Sequence, residues 1–73
     1  MKAIINLTTI AELPCRISHE TSREVNFYIT RDIATATTMN TLSKMEGVSL
    51  FIYSDYVSVR VSRCFVESLV YVD

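Results

Sequence analysis

The sequence predicts a small two-layer α+β fold, a mainly antiparallel or mixed sheet with one main helix, in a single domain spanning residues 1–73. Three observations carry this. Apolar and polar residues alternate from Val48 to Val61 on both sides of Ser54-Asp55, which reads as a hairpin of strands 48–53 and 56–63. Residues 33–46 place Ile33, Ala36, Met39, Leu42 and Met45 at every third position and run into Gly47, the expected helix stop. Val25, Phe27 and Ile29 alternate with Asn26, Tyr28 and Thr30, marking a further half-buried strand.

Taken in order, Ala3 to Leu7 reads as a first strand, with Ala3, Ile5 and Leu7 on one face. Thr9-Ile10-Ala11-Glu12 has capping-box spacing before Pro14 and predicts a single helical turn. Cys15 to Ser18 is expected to be extended, and polar His19 to Glu24 to be a loop. The strand from Val25 to Arg31 follows. Thr35, Thr37, Thr38 and Thr41 are poor helix formers, so the helix depends on packing against the sheet, and its start shifts from Ile33 toward Thr37. Residues 25–53 then form a strand, a helix and a strand, which suggests a right-handed crossover into the sheet that holds the hairpin. Closing the loop between Tyr53 and Tyr56 sets Ile52 opposite Val57, Leu50 opposite Val59 and Val48 opposite Val61. These six side chains share one face, expected to pack on Ala36, Met39, Leu42 and Met45, whereas a one-residue slip would mix the two faces. Near the end, Phe65, Val66, Leu69 and Val70 suit a helical face, but Leu69 to Val72 has strong β propensity. A short strand is expected there, paired inside the fold or against another subunit.

Composition narrows the function. At 73 residues a single core gives a stability of about 4 to 11 kcal/mol, and a hydrophobic share of 49% exceeds what a lone small monomer readily buries. A homo-oligomer, as a dimer, is the expectation. Net charge is −1, and Lys2, Arg16, Arg23, Arg31, Lys44, Arg60 and Arg63 are scattered among acids. With no basic run to neutralise phosphates, nucleic acid is a poor candidate partner. No apolar run has transmembrane length or forms a signal-peptide core, so the expectation is a cytoplasmic protein with no membrane association.

Reactive chemistry is sparse. Cys15, His19 and Cys64 supply at most three metal ligands where a structural zinc site takes four, and no CxxC or HxxxH occurs. No metal or cofactor is expected, and an intracellular setting favours Cys15 and Cys64 as thiols over a disulfide. Ser18-His19-Glu20 has the residue types of a catalytic triad, but consecutive side chains cannot form the relay. Glu46 and Asp55 lie at a helix end and a turn tip, with no paired-carboxylate site, so the chain is read as not an enzyme. What remains is a surface. Phe51, Tyr53, Tyr56 and Arg60 stand on the hairpin face opposite the core, among Ser49, Ser58 and Ser62. Aromatics with arginine mark interfaces, and these four are the candidate partner-binding residues unless another element of the chain covers them.

Leu42-x-x-Met45-Glu46-Gly47-Val48, then Leu50-Phe51-Ile52 and Asp55-Tyr56-Val57-Ser58-Val59, resembles the end of the N-terminal domain of Nfu-type iron-sulfur scaffold proteins. That family has a helix ending in an acid-Gly-Val step and a hairpin of the type VFF..DFITV. The resemblance covers residues 42–59, needs a one-residue deletion, and has Tyr53 where the family usually has glycine. The family's long segment before this helix, its Pro-Asn-Pro residues and the cluster-ligating CxxC of its separate domain have no counterpart here. The resemblance implies a similar helix and hairpin and an accessory or scaffold role in iron-sulfur maturation, without cluster binding by Cys15 or Cys64. The residues themselves favour a different class: a small non-enzymatic protein-binding module, of the kind that phages and mobile elements encode as inhibitors of a host defence complex.

Overall fold

Period-two patterning becomes six strands in the computed structural model, which describes residues 1–72: β1 (Lys2–Leu7), β2 (Ile10–Glu20), β3 (Glu24–Thr30), β4 (Val48–Ile52), β5 (Tyr56–Ser62) and β6 (Val66–Val72). They form one sheet in the order β4-β5-β3-β2-β1-β6, with every neighbouring pair antiparallel. One α-helix, α1 (Ala36–Lys44), connects β3 to β4, and the fold class is α+β.

The connection from β5 to β6 shows that this sheet cannot be flat. Only Arg63–Phe65, a single 3-10 turn, separates the two strands, although β3, β2 and β1 lie between them in the sheet. Four strand spacings in a flat sheet are about 19 Å, whereas four residue steps span at most about 14 Å. The sheet therefore curls. β2 is the corner: Ile10 to Arg16 pair with β1, and Arg16 to Glu20 pair with β3, so the strand changes neighbours at Arg16. Register shifts between Ile5 and Leu7 and between Ile17 and His19 add to the bend. Three backbone bonds fasten the connecting segment. Ser62 N–H donates to the Gly47 carbonyl at 3.2 Å, Arg63 N–H to the Arg23 carbonyl at 2.8 Å, and Thr8 N–H to the Phe65 carbonyl at 3.1 Å.

Curling gathers one set of alternating side chains into the core. Ala3, Ile5 and Leu7, Leu13 and Cys15, Val25, Phe27 and Ile29, and Val57, Val59 and Val61 are buried together, joined by Leu42 and Met45. No polar or charged residue is buried among the described residues. Each fully buried large aliphatic or aromatic side chain stabilises the fold by about 1.5 to 3 kcal/mol relative to exposure. β4 and β5 pair with Val48 opposite Val61, Leu50 opposite Val59 and Ile52 opposite Val57. β3 lies on the other side of β5, so β3 and β4 share a sheet without touching.

Several expectations need correction. The helical turn at Thr9 to Glu12 is absent, because Ile10 to Glu20 is one continuous strand, and the loop expected at His19 to Glu24 is shortened to residues 21–23 between β2 and β3. Four residues with capping-box spacing have no apolar stripe to hold a helix, whereas Leu13 and Cys15 alternate into the core. Pro14 is tolerated because that half of β2 is paired only to β1. The helix is shorter than 33–46. Thr35 caps it, its hydroxyl accepting from Thr38 N–H at 3.3 Å, while Ile33 and Ala34 lie before the first turn. Gly47 does have a positive φ of 79°, yet it does not end the helix. Met45 is already extended, at φ −76° and ψ 131°, and Gly47 turns the chain into β4 two residues later. On the expected helix face, Leu42 and Met45 are buried, Met39 is half-buried and Ala36 is exposed. Ile52, expected in the core, is 63% exposed at the end of the edge strand β4. The chain end is a strand that pairs with β1 along Val66–Val72. Cys15 is a buried free thiol and Cys64 an exposed one. Among the described residues no helix is long and apolar enough to cross a membrane.

Candidate functional site

Strand register decides which side chains meet on the face away from the core. Phe51 is opposite Ser58, Ser58 opposite Tyr28, Tyr28 opposite Arg16, and Arg16 opposite Lys2, so one row crosses five strands. In the next row toward the β4–β5 turn, Thr30 is opposite Tyr56. In the row on the other side, Asn26 and Ser49 flank Arg60. The outward positions of alternating strands thus become a contiguous surface.

The tyrosines form a cluster. The Tyr56 ring meets Tyr28 edge-on, with centroids 5.4 Å apart and planes at 61°, and stacks on Tyr53 at 4.9 Å and 27°. Such pairs contribute about 0.5 to 1.5 kcal/mol each beyond area burial. The rings therefore hold one another in place. They are not covered: Phe51 is 47% exposed, Tyr53 50% and Tyr56 38%. Arg60 is positioned from β3, its Nε donating to Asn26 Oδ1 at 3.4 Å and lying 3.8 Å from Glu24 Oε1. An exposed pair of this kind adds little stability, and it orients the guanidinium along the sheet.

Phe51, Tyr53, Tyr56 and Arg60 thus share the outer face, and the structure adds Tyr28, Arg16 and Lys2 to them. Tyr28 was visible in the alternation of its strand, but its approach to Tyr56 depends on the β3–β5 register. Arg16 and Lys2 lie on or beside segments expected to be extended, but nothing in the sequence pairs β1 with β2 and so brings the two together. These two cations stand directly opposite each other, an unfavourable cross-strand pair, and neither forms an ion pair among the described residues. Beside them, where β2 parts from β3, an open hollow of about 330 Å³ is lined by Ile4, Pro14, Tyr28, Ile33 and Val72.

The other candidate groups are dispersed or engaged. Burial pushes the Cys15 thiol up to about 11, partly offset by a backbone hydrogen bond from Ile5, so it is a neutral core thiol. Cys64 Sγ lies 3.3 Å from the Ser62 hydroxyl, at the surface. Ser18 donates to the Asn26 carbonyl at 3.2 Å, and Glu20 is bound by Arg63, which also donates to the Thr21 carbonyl at 3.1 Å. The Ser18 bond joins β2 to β3, and the Arg63 bonds tie the β2–β3 turn to the segment after β5. No group of three or more metal-ligating side chains converges among the described residues. No family model matches the chain, and comparison with curated proteins and with solved structures gives no match.

Proposed function

We propose that the protein is a small non-enzymatic protein-binding module whose outer sheet face docks a protein partner. The observation that carries this reading is the exposed, pre-stacked pair of Tyr53 and Tyr56, held by half-buried Tyr28, beside Phe51 and Arg60. Interface centres are enriched in Tyr, Phe and Arg, and rigid rings lose little entropy on binding. In this reading the fold has two layers, with α1 over the core face and the outer face left for the partner. Lys2 opposite Arg16 adds a charge preference: a partner with carboxylates beside its apolar contact would relieve their repulsion. A short chain that acts by occupying a surface suits an inhibitor of a larger assembly, such as phages and mobile elements direct at host defence complexes in the cytoplasm.

The test is affinity capture from the cell that carries the gene, with the wild-type chain and a Phe51→Ala/Tyr53→Ala double variant as parallel baits. Truncating two anchors at about 1 to 2 kcal/mol each weakens binding by roughly 30-fold or more. The expected result is a protein retained by the wild type and lost by a double variant with an unchanged melt. Equal retention by both baits, or a strongly lowered melt in the variant, overturns the reading.

A further inference from the structure

The edge of β6 is a surface separate from the aromatic face. Among the described residues β6 pairs with β1 on one side only, so the backbone groups facing the other way have no strand of those residues beside them. What completes such an edge is another strand. Natural edges are usually blunted by Lys, Pro or inward charges, and β6 has none of these between Ser68 and Val72. Instead Val70 is 57% exposed, Tyr71 46% and Val72 37%, so apolar side chains are open on both faces of the same strand.

The register selects the occupant. A bulge where Asn6 and Leu7 pair with Ser68 and Val66 sets Glu67 out of the regular ladder, leaving Ser68 to Val72 as the straight part. That segment is self-complementary when antiparallel about Val70. Val70 then meets the second copy's Val70, Leu69 meets Tyr71, and Ser68 meets Val72, and this paired segment contains no charged residue. Ile4 lies opposite both Pro14 and Val70, so the apolar row Pro14, Ile4, Val70 would continue across the axis into the same row reversed. On the core side, Leu69 lies opposite Ile5 and Tyr71 opposite Ala3, so the new Leu69–Tyr71 pairs extend the existing core. Pairing β6 with the other edge, β4, is heterologous and leaves a free edge at each end of the pair, whereas the β6 two-fold closes at two copies.

We infer that two copies of this chain pair antiparallel along β6, about a two-fold axis at Val70, and join their sheets into one. Sedimentation equilibrium of the full chain at up to about 100 micromolar, well above a typical micromolar dissociation constant, is expected to give the mass of two 8.3 kDa chains. Val70→Lys, which sets two lysines opposite each other at an already exposed position, is expected to halve that mass with the fold retained. In a Cys64→Ser background, Val70→Cys is expected to be captured as a dimer by a short bis-maleimide, while Ser49→Cys on β4 is not. A wild-type monomer throughout that range overturns the inference, leaving a foreign strand as the occupant. So does a Val70→Lys variant that remains a dimer, or cross-linking through Ser49→Cys in place of Val70→Cys.

Discussion

Gly47→Ala is expected to destabilise the protein by about 2 to 3 kcal/mol through two separable effects. The first is local: at φ 79° the backbone is in the left-handed region, where a side chain costs about 1 to 2 kcal/mol. The second is contact. A Cβ built on Gly47 lies 2.8 Å from Cε2 and 3.2 Å from Cδ2 of Phe65, and 3.4 Å from the Ser62 Cβ. Phe65 is half-buried in the short segment that joins β5 to β6, so displacing its ring disturbs the packing of the connection that lets the sheet curl. Overpacking of this kind costs about 1 to 3 kcal/mol, and the reduced freedom of the unfolded chain returns about 0.4 to 1 kcal/mol. For a chain of this size the melting temperature is then expected to fall by roughly 10 to 20 °C. Thermal and urea unfolding followed by circular dichroism would measure it. A double-mutant cycle separates the effects: in a Phe65→Ala background the same change is expected to cost about 1 kcal/mol less, since the strain remains and the clash is gone. Strict additivity of the two substitutions, or an unaltered melt in Gly47→Ala alone, would refute this account of how β4 meets the segment after β5.

Other positions give sharper contrasts. Val59 is fully buried in the central strand β5, so Val59→Asp is expected to abolish folding, while Ser58→Asp on the outer face leaves a cooperative transition in urea. Leu42→Ala is expected to cost about 2 to 5 kcal/mol and Ala36→Ser less than about 0.5 kcal/mol, because Leu42 has no exposed surface and Ala36 is exposed. In native buffer a thiol reagent such as Ellman's is expected to titrate Cys64 alone, with Cys15 reacting only on unfolding. The Cys15 thiol titrates near its ordinary 9.0 when unfolded and near about 11 when folded. Its contribution to stability is therefore complete below pH 9 and lost as pH rises through that window. Cys15→Ala is expected to remove this alkaline component from the stability–pH profile, and an unchanged profile would contradict it.

How much of this was legible in the sequence depended on whether a strand's pattern is self-sufficient. The β4–β5 register can be read from Val48, Leu50 and Ile52 against Val57, Val59 and Val61, because both arms alternate strictly and only one pairing keeps the aliphatics together. β2 could not be read this way. Leu13 and Cys15 of this strand alternate into the core, but Pro14 stands between them and the alternation lapses at Ser18, His19 and Glu20, which all face solvent. Its strand character comes from its neighbours: β1 holds one half and β3 the other. The candidate site divides along the same line. Phe51, Tyr56 and Arg60 belong to β4 and β5, and Tyr53 to the turn between them, so their shared face was accessible to pattern reasoning. Tyr28, Arg16 and Lys2 arrive from β3, β2 and β1, and no local spacing links them. Gly47 shows a subtler limit. The need for a positive φ was readable, but its partner in close approach, Phe65, is brought there only by the curl of the sheet.

The measurement that bears most directly on the central claim, that the outer aromatic face binds while the opposite face folds, is a binding isotherm against the captured partner for Phe51→Ala and Tyr53→Ala, each paired with a thermal melt. Ser49→Ala and Ser58→Ala, on the same face with little area to lose, serve as controls. The account predicts about 5- to 30-fold weaker binding for each aromatic truncation, a melt within a few degrees of wild type, and unchanged affinity for both serine controls. Unchanged affinity in both aromatic variants, or a collapse of the melt on removing either ring, would contradict it.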